Sequence, residues 1–218
     1  GNGRNLIHHL PVLALLPHQS NHPGPITQPN HNISRRSPMS RLRTLTDSKL
    51  SDEFKRDTDH LRVKGKLPSI YGQMAHSEPA VRAYLALEAA LTASPLTLRE
   101  VEAVKLWVSE RNQCKFCLSI HNVKAESAGF EAVQVQAIRA GQAIGQPRVD
   151  AVVAFTREVV DNQGRVAEGV RQNMLDAGFT DGELIDIMLA AVTITFTNYF
   201  NGMNDTTLAF PEAPPLPK

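Results

Sequence analysis

From residue 78 onward the apolar positions recur every three or four residues, the spacing of helices that each bury one face. In "EPAVRAYLALEAALTA", Val81, Tyr84, Leu85, Leu87 and Leu91 make a broad apolar face. Ser77 stands where a cap belongs, and Pro79 falls in the first turn, where its missing N–H costs nothing. Thr97 and Glu100 have the spacing of a capping box, which predicts a helix running to about Arg111. "NQ" permits a short break, and a helix from about Cys114 to Ala128 follows, stopped by Gly129. Glu131 to Ala140 fits another, stopped by Gly141. Asp150 is a candidate cap for "AVVAFTREVVDN", which ends near Gly164, and Glu168 to Ala177 is a shorter helix closed by Gly178. Thr180 and Glu183 repeat the capping-box spacing and open the last long helix, "ELIDIMLAAVTITFTNYFNGM". Within it "VTITFT" is β-branched and alternating, which in isolation prefers a strand. The cap and the leucine and methionine before it predict a buried helix instead. "FPEAPPLPK" is an irregular tail, and the sum is an all-α domain with no strand-rich region and no internal repeat.

The first 38 residues break this pattern. They contain no Asp, Glu, Lys or Cys, and "PHQSNHPGPITQPNHNISRRSP" has neither helical nor strand periodicity. Such a segment cannot supply a core by itself. "LPVLALLP" imitates the apolar part of a signal peptide, but no small-residue cleavage site follows cleanly. Arg4, Arg35 and Arg36 without acids suit a transit peptide, whose amphipathic helix the prolines oppose. The expected organisation is therefore an irregular arm or non-native extension over 1–38 and one helical domain over 39–218.

The net charge of +1 offers no broad field for nucleic acid or a membrane surface. No uninterrupted apolar run approaches the roughly 18 residues that span a bilayer. Two cysteines cannot build a secreted disulfide framework, so the expected compartment is reducing, with the cytoplasm as default.

Both cysteines lie in "NQCKFCLSIHN". Cys114 and Cys117 are three apart, and Cys117 and His121 four apart, so a helix puts all three on one face. At a helix N-terminus the unpaired N–H groups and the dipole favour a thiolate, and a second thiol one turn away can trap an adduct. His121 can exchange a proton near neutral pH. Haem attachment needs histidine directly after C-x-x-C, and "LSI" intervenes. Structural zinc needs about four ligands, and only one C-x-x-C exists. Thioredoxin-type chemistry needs a preceding strand, and here a capped helix precedes. A redox pair and plain packing of small buried thiols both remain, with the redox pair preferred. Of the nearby acids, Glu100 belongs to its capping box. Glu102 sits on the flank of the Val101, Val104, Val108 stripe, where pattern alone favours a solvated side chain; half-buried, its proton affinity would rise.

"LTLREVEAVKLWVSERNQCKFCLSIH" resembles the core motif of the alkylhydroperoxidase D-like (AhpD-like) proteins of the carboxymuconolactone decarboxylase superfamily. That motif is a glutamate twelve residues before C-x-x-C, then three residues and a histidine. Glu102, Cys114, Cys117 and His121 fit it. "IYGQMAHSEPAVRAYLALEAAL" and "AGFTDGELIDIMLAAVTITFTNYFN" are similar to flanking segments of the peroxidase-related branch, so the likeness runs from about Met39 to Pro211. The resemblance implies an all-α fold of about six to eight helices assembling into trimers or hexamers. It implies that Cys117 attacks a hydroperoxide, that Cys114 resolves the sulfenic acid as a disulfide, and that His121 and Glu102 relay protons. An external dithiol of lipoyl or thioredoxin type would restore the thiols, and neither cofactor nor metal is called for. Nucleic acid and membrane are not expected partners. The founding alkylhydroperoxidase has a second histidine immediately before the attacking cysteine; this chain has Phe116 there. The expected function is a thiol-dependent hydroperoxide reductase, with a non-redox decarboxylase-type member or a redox-responsive interaction protein as alternatives. His76 and Asn198 also occupy family-like positions, with hydrogen-bonded core roles expected.

Overall fold

The computed structural model describes residues 40–208 and 210–217. The arm expected over 1–38 lies outside the described residues. The described residues are helical, with no strand among them beyond an isolated bridge between Val63 and Lys66. After two short helices, α1 (Asp52–Asp57) and α2 (Ser69–Met74), come α3 (Glu78–Ala93), α4 (Leu98–Arg111) and α5 (Lys115–Ser127). They are followed by α6 (Ala132–Arg139), α7 (Pro147–Asp161), α8 (Glu168–Asp176) and α9 (Asp181–Asn204).

α4 is the central element, and every residue from Glu100 to Ser109 is buried. It packs against α5, α6, α7 and α9, so the middle of the helix, between its exposed ends, has no solvent face. Its buried polar side chains are each paired. Glu100 accepts from Arg148, Glu102 meets His121, Lys105 donates to Glu88, and Ser109 accepts from Asn198. The amphipathic pattern that puts Glu102 in solvent therefore fails: the pattern registers polarity but not which polar groups have buried partners.

The capping boxes at Thr97 and Thr180 form as their spacing predicts. α5 closes with Gly129 at φ 89°, and the Phe130 N–H reaches back to the Ala125 carbonyl. At the end of α6, a Cβ on Gly141 would stand 3.0 Å from the Trp107 indole nitrogen, so that turn needs glycine for space as well as for φ. One boundary differs. α7 starts at Pro147, not after Asp150. Proline is pre-set for the first helical position, and Asp150 lies in the first turn, where its carboxylate accepts from the Ile144 N–H at 2.8 Å.

"VTITFT" is helical within α9. Burial of Thr193, Ile194 and Thr197 overrides the strand propensity, and the hydroxyls of Thr193 and Thr195 bond carbonyls four residues back. α9 is long and apolar enough to cross a membrane by length and composition alone, but half of its apolar window is buried inside the fold. A second, smaller apolar cluster joins Leu50, Phe54, Met74 and Val81 and fixes α1 and α2 against α3.

Candidate functional site

The turn between α4 and α5 builds the site. Asn112, Gln113 and Cys114 send their N–H groups back to the carbonyls of Val108, Glu110 and Ser109. This doubled-back closure puts Gln113 in the left-handed region at φ 54°, a cost of about 1 kcal/mol for a side chain with a Cβ. α9 holds the turn in place. Asn112 Nδ2 donates to Asn198 Oδ1 at 2.9 Å, and Asn198 Nδ2 donates to Ser109 Oγ at 3.1 Å. Asn198 thus has the expected core role. His76 differs in part: it is exposed, with Nε2 3.0 Å from the Arg43 carbonyl oxygen.

The turn delivers Cys114 as the N-cap of α5, its Sγ accepting the Cys117 N–H at 3.3 Å. Cys114 and Cys117 are joined as a disulfide, their Cα atoms 5.3 Å apart. One turn further along α5, His121 Nδ1 lies 2.7 Å from Glu102 Oε2. Glu102 is only 2% exposed and His121 7%. Burial alone would raise the Glu102 carboxyl. The His121 hydrogen bond, with the positive charges of Lys105 and Lys124, outweighs it and holds the group below the usual carboxylate range. This corrects the sequence expectation of a raised proton affinity. Burial dominates at His121 and, against the pull of Glu102, keeps the imidazole below its ordinary value. The ionised carboxylate therefore accepts Nδ1–H, and the Nε2 lone pair is left to take up a proton.

Cys117 and His121 line one pocket of about 690 Å³, with Phe116, Lys105, Glu88 and Asn201 among the other walls. Glu102 is not in that wall; its contact with the pocket runs through His121. Lys105 Nζ donates to both Glu88 oxygens at 3.0 Å, and Tyr84 OH donates to Glu88 at 3.0 Å. Burial, then the Glu88 charge, pushes the Tyr84 phenol up, so it stays a donor. Cys114 opens on a different, smaller pocket of about 280 Å³, which Cys117 does not line.

Sequence reasoning missed Asn201. Its Nδ2 donates to Cys117 Sγ at 3.3 Å, and it lines both pockets. The available signal was asparagine at 198, 201 and 204, one face of α9 at helical spacing. Among the described residues no three of His, Cys, Asp and Glu converge as a metal site would require.

A buried Glu–His pair beside a two-cysteine helix start, carried on two consecutive helices, can be compared with known proteins. Residues 78–158, from α3 to α7, match the sequence model of the carboxymuconolactone decarboxylase family. This segment is similar to the carboxymuconolactone decarboxylase family. It holds all four motif residues, Glu102, Cys114, Cys117 and His121; Asn201 lies beyond it. No curated protein matches the chain in sequence.

The described fold is AhpD-like. It resembles the alkylhydroperoxidase AhpD core of an uncharacterised peroxidase-related protein from Ralstonia eutropha JMP134, with a TM-score of 0.70 and 23% identity over 78% of this chain and 93% of that one. A second peroxidase-related protein, from Silicibacter sp. TM1040, superposes with a TM-score of 0.66 and 19% identity, covering 81% of this chain and 95% of that one. The debrominase Bmp8, in complex with 2,3,4-tribromopyrrole, superposes with a TM-score of 0.62 and 17% identity over 79% of this chain and 94% of that one. The fold is thus shared by proteins described as peroxidase-related and by a debrominase.

Proposed function

We propose that this protein is a thiol-dependent hydroperoxide reductase. One observation carries it: the Cys114–Cys117 pair closes as a disulfide whose Cys117 end shares a pocket with His121, itself bonded to Glu102. Cys117, as thiolate, attacks the O–O bond of the hydroperoxide. The alcohol leaves with a proton, and Cys117 becomes a sulfenic acid. Cys114 then attacks the Cys117 sulfur and water departs, leaving the disulfide. An external dithiol, of lipoyl or thioredoxin type, returns two electrons and two protons.

His121 takes the Cys117 proton on Nε2 and hands it to the departing oxygen, while Glu102 holds the ring and stabilises it when protonated. Asn201 Nδ2–H supports the sulfur as its charge builds. Phe116 adds apolar wall and no proton relay, so His121 carries proton transfer alone. A non-redox decarboxylase has no use for the paired thiols, which weighs against that alternative.

The compartment proposed is the cytoplasm, and the assembly a trimer or hexamer. Its contact face would be the exposed apolar stripe Ile185, Met188, Val192, Phe196, Tyr199 and Met203 on α9.

The test is steady-state consumption of cumene hydroperoxide with dihydrolipoamide. Wild-type protein turns over, and Cys117→Ser falls to the background rate. Undiminished turnover by that variant contradicts the assignment. Loss of both thiols without turnover would instead indicate a redox-responsive interaction protein.

A further inference from the structure

Resting on the redox-pair reading above, we propose that the disulfide is reduced through a second mouth, a dithiol-binding site on the Cys114 side. It is separate from the pocket in which Cys117 meets its oxidant. The two sulfurs open on different cavities. Cys117 lines the pocket of about 690 Å³ and Cys114 does not; Cys114 lines the pocket of about 280 Å³ and Cys117 does not. Phe116 and Asn201 belong to both linings and form the partition.

Thiol–disulfide exchange is an in-line displacement: the entering, central and leaving sulfurs align, and access decides which sulfur is attacked. A thiolate that attacks Cys114 must come from the side away from Cys117. The smaller pocket, which touches Cys114 but not Cys117, offers that approach.

Each of the two steps finds a donor already placed. In the first, one thiol of the dithiol loses its proton and bonds to Cys114 Sγ. The Cys114–Cys117 bond breaks, and its electron pair goes to Cys117, whose sulfur has Asn201 Nδ2–H at 3.3 Å. Cys117 then takes up a proton. In the second, the other thiol loses its proton and attacks the dithiol's own sulfur in the mixed disulfide. A cyclic disulfide leaves, and the electron pair passes to Cys114, whose sulfur has the Cys117 N–H at 3.3 Å. Cys114 is protonated in turn. The dithiol loses two electrons and two protons, and the protein gains them.

A further observation points to an arriving ligand. Asn201 is 4% exposed, yet its Oδ1 is buried without a hydrogen-bond partner. A buried amide oxygen left unpaired is costly. The S–H of an arriving dithiol is a donor that would satisfy it.

The mouth also limits the guest. It is walled by Gly202, Asp205, Leu208 and Glu212, with Lys115 paired to Glu212 at 2.8 Å. That volume admits a slender arm and not a folded domain, and the mixed charges suit a neutral one. The ligand class is a small neutral dithiol, free or tethered.

Gly202 provides the test, because a Cβ there meets nothing within 4 Å and the position is helical. Gly202→Phe should plug the second mouth. Ala89→Phe, on α3, should narrow the larger pocket. Each protein is first oxidised with diamide, so the reduction step can be read whatever peroxide does. Stopped-flow then gives the rate of disulfide reduction by dihydrolipoamide and, separately, of thiol oxidation by cumene hydroperoxide.

The ratio of reduction to oxidation rate should fall about tenfold in Gly202→Phe and rise in Ala89→Phe, since access controls exchange. Gly202→Leu, a smaller plug, should fall in between and serves if the phenylalanine variant misfolds. Equal slowing of both steps, or reduction slowed only by Ala89→Phe, overturns the second mouth. A wild type that dithiol reduces but peroxide does not oxidise fails the peroxidase assignment alone.

Discussion

The proton in the Glu102–His121 hydrogen bond belongs to the imidazole: burial keeps His121 neutral, and the cations around Glu102 keep it ionised. Glu102→Gln keeps the size and removes the charge. Oxidation of the reduced protein by hydroperoxide should then slow by about 10² in stopped-flow, the usual scale of general acid–base assistance. The same pair sets a pH dependence of stability. Both groups have proton affinities depressed by folding, so the unfolded chain binds more protons and acid favours unfolding. The His121 contribution is complete above its ordinary value near 6.5 and is lost as pH falls through the lower folded value. The Glu102 contribution is lost at more acid pH, below the ordinary 4.5. Urea midpoints should fall between pH 7.5 and 5.5, and His121→Gln should flatten that slope. The spacing of Glu102, Cys114, Cys117 and His121 was legible in the sequence. The burial of Glu102 was not, because its partner His121 lies nineteen residues away. Asn201 escaped notice for the same reason, being 84 residues from the sulfur it touches.

At the level of elements, local signals fixed the helix ends that close on themselves and misjudged one that is fixed from a distance. Thr97, Thr180 and Gly129 act within their own turns and read correctly. Asp150 reads as a cap but serves the preceding loop. Arg148, invisible as a feature of the sequence, is what ties the capped ends together. Its Nε donates to Glu100 at 2.6 Å and its Nη2 to Glu183 at 3.0 Å, so one guanidinium joins the capping boxes of α4 and α9. It also lies 3.8 Å over the Phe179 ring. Arg148→Ala should lower the unfolding free energy by about 2 kcal/mol in urea titration, since charge-assisted bonds to a buried Glu100 are lost. Arg148→Lys should recover only part, because an ammonium cannot reach both carboxylates in the same plane.

For the whole molecule, α9 does two jobs. One face carries Asn198, Asn201 and Asn204 into the fold, and the other leaves Ile185 67%, Val192 62% and Tyr199 66% exposed. Exposed apolar surface on one helix face is what the proposed assembly would cover. Val192→Glu should reduce the sedimentation mass to that of one chain, whereas Leu98→Glu, exposed elsewhere, should not. The central claim is that the two thiols and one hydroperoxide make a closed reaction within one chain. The direct measurement adds one equivalent of cumene hydroperoxide to fully reduced protein, then counts free thiols and the alcohol released. Both thiols should disappear into the Cys114–Cys117 disulfide as one equivalent of alcohol forms. Persistence of the thiols beside unreacted hydroperoxide would contradict the account.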